Sequence, residues 1–163
     1  MSLYAASVPV FARYLGQAAR MAERASEAQL AQGLADALPA GAQLATAAGY
    51  ALRVACPLAG RAVPDLPEGA DKTALARRFA AVQAELARLA ATDFIGAEAR
   101  VICHRAGFAD LEQDGATFLH QYGMPNFMFH LTMGYASLRA AGLALGKADF
   151  DGLHHYPGGF RFS

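Results

Sequence analysis

Residues 115–152 read GATFLHQYGMPNFMFHLTMGYASLRAAGLALGKADFDG, and they decide the fold. The stretch carries two of the five histidines, a proline within an apolar helical pattern, and Asn126 and His130 one helical turn apart. Asp114 and Gly115 introduce a helical region that Pro125 interrupts, because proline has no amide proton for the helical ladder. The pattern resumes and runs to Ala141, where Gly142 offers a left-handed stop. From the Gly146-Lys147-x-Asp149-Phe150 exit onward, the segment GKADFDGLHHYPGGFRFS has too many glycines for a helix. Its phenylalanines and Tyr156 are expected to pack back on the domain or on a partner chain, and its GGF is read as a turn.

Working outward, the clearest amphipathic helix places Leu75, Phe79, Val82, Leu86 and Leu89 on one stripe, with Arg77, Arg78, Glu85 and Arg88 on the wet face. Asp71 or Thr73 caps it. Before it, GRAVPDLPEGADK is a long surface connection rather than a domain boundary. Another helical pattern begins around Gln29–Leu38 and resumes after Pro39, with Gln43, Ala47, Tyr50 and Val54 along one side; Pro39 either starts the main helix or kinks it. Gly49 within this run implies close approach by a neighbouring backbone or side chain. A first helix is expected from a Ser7 cap and Pro9 to about Ala25, with Phe11, Leu15, Ala18 and Ala22 inward.

Only between Ala99 and Gln113 does the period change. Val101, Cys103 and Arg105 alternate with Ile102, His104 and Ala106, and Gly107 supplies a turn, so a small hairpin or an extended loop is expected. Four substantial helices with one such insert define an all-α bundle. A chain of 163 residues fits one domain, able to bury roughly 70% of its unfolded surface without metals or disulfides. The domain spans residues 1–152, with a tail at 153–163.

Apolar residues make up 55% of the chain and charged residues 17%, which predicts a homodimer or larger assembly that buries apolar surface. Basic and acidic residues each total 14, so no excess positive charge drives binding to nucleic acid or anionic lipid. The N-terminal stretch does not read as a signal peptide, and no apolar run reaches membrane-spanning length; a cytoplasmic protein is expected. Cys56 and Cys103 match no zinc or redox spacing and are read as small buried hydrophobes rather than a bridge or a nucleophile.

His120 and His130 cannot share one ion on a continuous helix, because ten residues span about 15 Å. Asn126 and His130 stand on one face and can converge on one small object. Three readings stay open for them: a helix cap with a core histidine, a ligand or substrate site, or an intact metal site. Asparagine is a poor transition-metal ligand, and a zinc centre needs at least three protein ligands. His104, His154 and His155 are expected to be solvated or packed at the surface. No nucleophile elbow, phosphate loop or dinucleotide fingerprint occurs.

Several blocks resemble the bacterial family known as domain of unknown function 1993. They are Ser7-Val8-Pro9-x-Phe11 with Leu15; Asp36-Ala37-Leu38-Pro39 with Gln43 and Leu44; and Pro125-Asn126-Phe127-Met128-Phe129-His130 followed by Thr132, Tyr135, Leu138-Arg139, Gly142 and Gly146-Lys147-x-Asp149-Phe150. That family is similar to the DinB-like and YfiT-like four-helix bundles. Some of those hold a divalent metal through three histidines, one on the second helix and two in a His-x-x-x-His pair on the fourth. The resemblance puts the pair on Asn126 and His130, so one histidine survives, and puts the helix-two ligand near Asp36 or Gln43. Gly49 stands where the family is expected to carry an acidic residue.

The resemblance therefore implies a DinB/YfiT-like bundle with a degenerate metal site. Asp36, Gln43, Asn126 and His130 are its pocket candidates, with no cofactor expected and a possible small-molecule ligand. The alternative is a metal-dependent hydrolase or transferase using zinc, nickel or manganese, with His130 and Asn126 as the candidate ligands. A purely structural interaction module would instead seal Asn126 and His130 in the core.

Overall fold

The computed structural model describes residues 2–157. Helix α1 (Leu3–Arg24) starts at Ser2, whose hydroxyl accepts from the Ala5 amide. The expected start at Ser7 is therefore one turn late. Ser7 is buried inside the helix and its hydroxyl donates to the Leu3 carbonyl at 2.6 Å. Pro9 is tolerated beyond the first turn with its ring exposed, because Leu3, Val8, Phe11 and Leu15 are all buried around it.

The expected helix over 29–38 is reduced to a single turn, α2 (Glu27–Leu30). After it the chain folds on itself: the Ala40 amide donates to the Gln32 carbonyl at 2.7 Å and Gly33 bridges Pro39. Leu34 and Leu38 are exposed, so the apolar periodicity there had no core to face. Pro39 then starts the long helix α3 (Ala40–Leu58). Residues 61–70 form the expected non-helical surface connection. Arg78 holds it, donating to the Pro67 carbonyl at 2.8 Å and to the Ala45 carbonyl at 2.9 Å. Arg78 is also the close neighbour that Gly49 accommodates, its Nη2 lying 3.0 Å from where a β-carbon would stand. Asp71 caps α4 (Lys72–Ala87) by accepting from Ala74 at 2.9 Å.

The period change is a true hairpin, which makes the molecule mainly helical rather than purely so. Strands β1 (Val101–Ala106) and β2 (Ala109–Asp114) pair antiparallel, Ile102 with Gln113 and His104 with Leu111. Gly107, at φ +60°, makes the tight turn. Ile102 faces the bundle, and Cys103 lies on the opposite, exposed face. That corrects the expectation of two buried cysteines, since successive strand residues point to opposite sides. Cys56 is buried as expected; burial, with the Glu85 carboxylate adding to it, pushes its thiol up to about 11.

Asp114 caps the next helical run by accepting from Thr117 at 2.9 Å. The run begins as α5 (Gly115–Thr117), widens into a π segment over Phe118–Gly123, and continues as α6 (Met124–Ala140). Pro125 does not break it. The wider turn directly upstream shifts the hydrogen-bond register, so the missing proline amide falls at the start of α6. Gly142, at φ +86°, ends the run.

The tail is corrected in part. Lys147–Asp151 form a short helix, α7, which Gly152 stops at φ +68°. Phe150 packs edge-on to Tyr14 and Tyr135, with ring centroids 5.5 and 5.4 Å away, and Arg24 pairs with Asp149. The expected GGF turn and the packing of Phe160 and Phe162 lie outside the described residues.

Around the bundle the four long helices run α1, α4, α3, α6, and the most extensive packing is α3 on α6. Phe11 of α1 and Phe127 of α6 meet at the centre, both fully buried, with centroids 4.8 Å apart. Removing that ring leaves a cavity the neighbours cannot fill. Phe11→Ala is expected to cost about 3–5 kcal/mol of stability in urea unfolding; a loss below about 1 kcal/mol would show that this pair is not the packing centre.

Candidate functional site

The site forms where α3 and α6 face each other. Gln43, on the first full turn of α3, is buried, and its Oε1 lies 2.7 Å from Nδ1 of His130 on α6. A side-chain carbonyl oxygen only accepts, so the imidazole donates from Nδ1 and Nε2 carries the lone pair. Among the described residues Nε2 has no hydrogen-bond partner. Burial, with the Arg53 charge adding to it, holds His130 below the ordinary imidazole range. It is therefore a neutral, oriented imidazole at pH 7.

Tyr50 stacks on His130, with centroids 5.4 Å apart and planes 19° apart, and Arg53 lies 4.8 Å over the Tyr50 ring. Tyr122 continues the aromatic chain 6.0 Å from Tyr50. Burial, then a hydrogen bond with Tyr50, pushes the Tyr122 phenol up to about 12. His104 reaches in from the hairpin at 4.2 Å from the Tyr122 ring, its Nε2 lying 2.9 Å from Gln113 Oε1. This ring is half-buried against Tyr122 and Phe118, the packed rather than the solvated of the two positions the sequence left open.

Of the four pocket candidates, the structure brings Gln43 and His130 into direct contact. Asn126 shares the helix face of His130, but its amide turns back to donate to the Tyr122 carbonyl at 2.7 Å. It thus ties the π segment to α6 rather than capping a restarted helix. Asp36 is exposed on the segment between α2 and α3 and makes no hydrogen bond to the other three. His120 is exposed on the π segment, and His154 belongs to the tail, where its Nδ1 meets the Asp151 carboxylate at 2.5 Å.

Sequence reasoning missed Tyr50, Arg53 and Tyr122. Tyr50 falls on the same side of its helix as Gln43, two turns on, and that spacing is the available signal. As a metal centre the donor set falls short. His130 contributes one imidazole, Gln43 and Asn126 are amides, and among the described residues no three histidine, cysteine or acidic side chains gather. Three protein ligands are the minimum for zinc.

The arrangement of helices is that of the DinB-like proteins. A crystal structure of a DinB family member from Shewanella denitrificans superimposes with a TM-score of 0.84, at 24% identity, over 95% of this chain and 94% of that one. No curated protein matches the sequence. The family model described as "Domain of unknown function (DUF1993)" matches residues 3–151, and the chain belongs to that family.

The held-down basicity of His130 has a signed consequence. The unfolded chain takes up this proton near pH 6.5, before the folded one does, so its share of stability is complete above that value and lost as pH falls through the folded value. In an NMR titration His130 is expected to protonate below pH 6.5, and His130→Gln should flatten the fall in Tm between about pH 7 and pH 5. A titration at or above the ordinary value would overturn the assignment of a neutral, half-buried ring.

Proposed function

We propose that this protein is a ligand-binding bundle built on a degenerate metal site, working as a homodimer on small molecules rather than on nucleic acid or membranes. The observation that carries this reading is the Gln43–His130 contact. A buried amide fixes one tautomer of a neutral imidazole and leaves Nε2 open beside Tyr50, which suits recognition of a small hydrogen-bond donor. Residues 1–152 act as one unit in this reading, with 153–163 as an appended tail. Asp36 and Asn126 are then peripheral to the contact.

A second reading is a metal-dependent hydrolase or transferase of the DinB type. One observation favours it: an imidazole that donates from Nδ1 and presents Nε2 is oriented as metal-ligating histidines commonly are. Elemental analysis of protein purified without a histidine tag separates the two. The binding-bundle reading expects well under one equivalent of zinc, nickel or manganese and an unchanged Tm in chelator. A full equivalent that disappears in His130→Ala would replace it with the enzyme reading.

The apolar composition supports the homodimer in this reading. Light scattering at tens of micromolar protein is expected to give twice the chain mass of 17.1 kDa. A monomer under those conditions removes the dimer from the proposal.

A further inference from the structure

A groove of about 650 Å³ lies away from this site, between α1 and α4. Its floor is apolar and shallow-walled: Phe79 is flanked by Gly16, Ala19 and Ala80, residues too small to fill the space between the two helices. Adding a β-carbon at Gly16 would meet no atom within 4 Å, which shows how open that wall is. The far end is closed by Gln83, whose amide crosses the seam to donate to the Ala12 carbonyl at 2.8 Å. From Lys72 to Gln83 the groove runs about 16 Å along α4, room for an extended chain of roughly ten carbons at about 1.5 Å per bond.

The end opposite Gln83 is charged. Arg20, Lys72 and Arg77 line it against a single carboxylate, Glu23. Two of the cations are held in place from below. Arg20 donates from Nε to Gln17 Oε1 at 3.1 Å, which leaves its terminal guanidinium nitrogens uncommitted, and the Lys72 ammonium donates to the Ala25 carbonyl at 3.1 Å. Arg77 makes no hydrogen bond or ion pair among the described residues. An apolar trough with anchored cations at one end matches an amphipathic anion, the apolar body on Phe79 and the alanines and the acid group on the arginine fork.

A second copy of the chain fits less well. Two-fold pairing through this groove would bring two cation-rich rims together, and like charges opposed across an interface weaken it. We propose that the α1/α4 groove is a binding site for an apolar-tailed carboxylate, with Arg20 and Arg77 receiving the carboxylate and Phe79 forming the floor. The site is independent of the Gln43–His130 contact.

Sodium decanoate, kept below its micelle concentration, is the probe. Calorimetry on the full chain is expected to show saturable binding of one molecule per chain, with amide shifts in NMR confined to α1 and α4. Decanol, equal in length but uncharged, should bind about tenfold more weakly, as should decanoate to Arg77→Ala, the cost of one charge-assisted contact. Gly16→Leu fills the trough without a backbone clash and should abolish binding while Tm holds. No saturable binding, equal affinity for decanol and decanoate, or unchanged binding to Gly16→Leu would each overturn the proposal. So would α1/α4 resonances that move only on dilution and ignore decanoate, which would give the groove to a second copy.

Discussion

The close approach of α3 and α6 is the constraint on which the site and much of the core depend. Two glycines make it possible. A β-carbon at Gly123 would lie 2.6 Å from Val54 Cγ2, and one at Gly134 would lie 2.7 Å from Leu44 Cδ2. With both side chains reduced to hydrogen, the helices come near enough for Gln43 to reach His130 across the seam and for Tyr50 to lie on the imidazole. A wider spacing would leave the Gln43 amide buried without a partner, at a cost of about 1–3 kcal/mol. Packing at the glycines and polar pairing at the site are therefore one requirement.

The π segment is the second device that sets the site. A helix drawn straight through residues 118–125 would meet Pro125 as a defect and put the hairpin-facing and α3-facing residues out of phase. Widening the turn over Phe118–Gly123 absorbs the proline and turns Tyr122 so that it touches both Tyr50 and His104. Asn126 closes this adjustment by taking the Tyr122 carbonyl. Such local departures from the helical ladder recur at functional sites in proteins, and here the departure ends about two turns before His130.

The candidate site was legible in its members more than in its arrangement. His130 stood out as one of two histidines within the apolar helical pattern, whereas Gln43, like Asp36, came in only through the family resemblance. Asn126 stood out for its one-turn spacing from His130. Nothing local distinguished Asp36 from them, since its place depended on whether residues 29–38 formed a helix, and that was decided by the fold-back between Gln32 and Ala40. Tyr50, Arg53 and Tyr122 carry no motif; they matter because the stacking of α3 on α6 lines them up beside the imidazole.

Periodicity in the sequence determined the four long helices, the hairpin and the inward stripes, because a 3.6-residue or 2-residue repeat of apolar side chains has one geometric solution for burying them. The block from Pro125 to Phe150 also carried the family, through residues that now prove to pack the bundle and brace its exit. Only the structure showed the start of α1, the loss of helix at 31–38 and the survival of the run through Pro125, which rest on contacts a few residues apart; the short helix at 147–151 rests on contacts distant in sequence, Arg24 with Asp149 and Tyr14 with Phe150. The tautomer of His130 belongs to the same class, since it is set by Gln43, a residue the chain brings across from another helix.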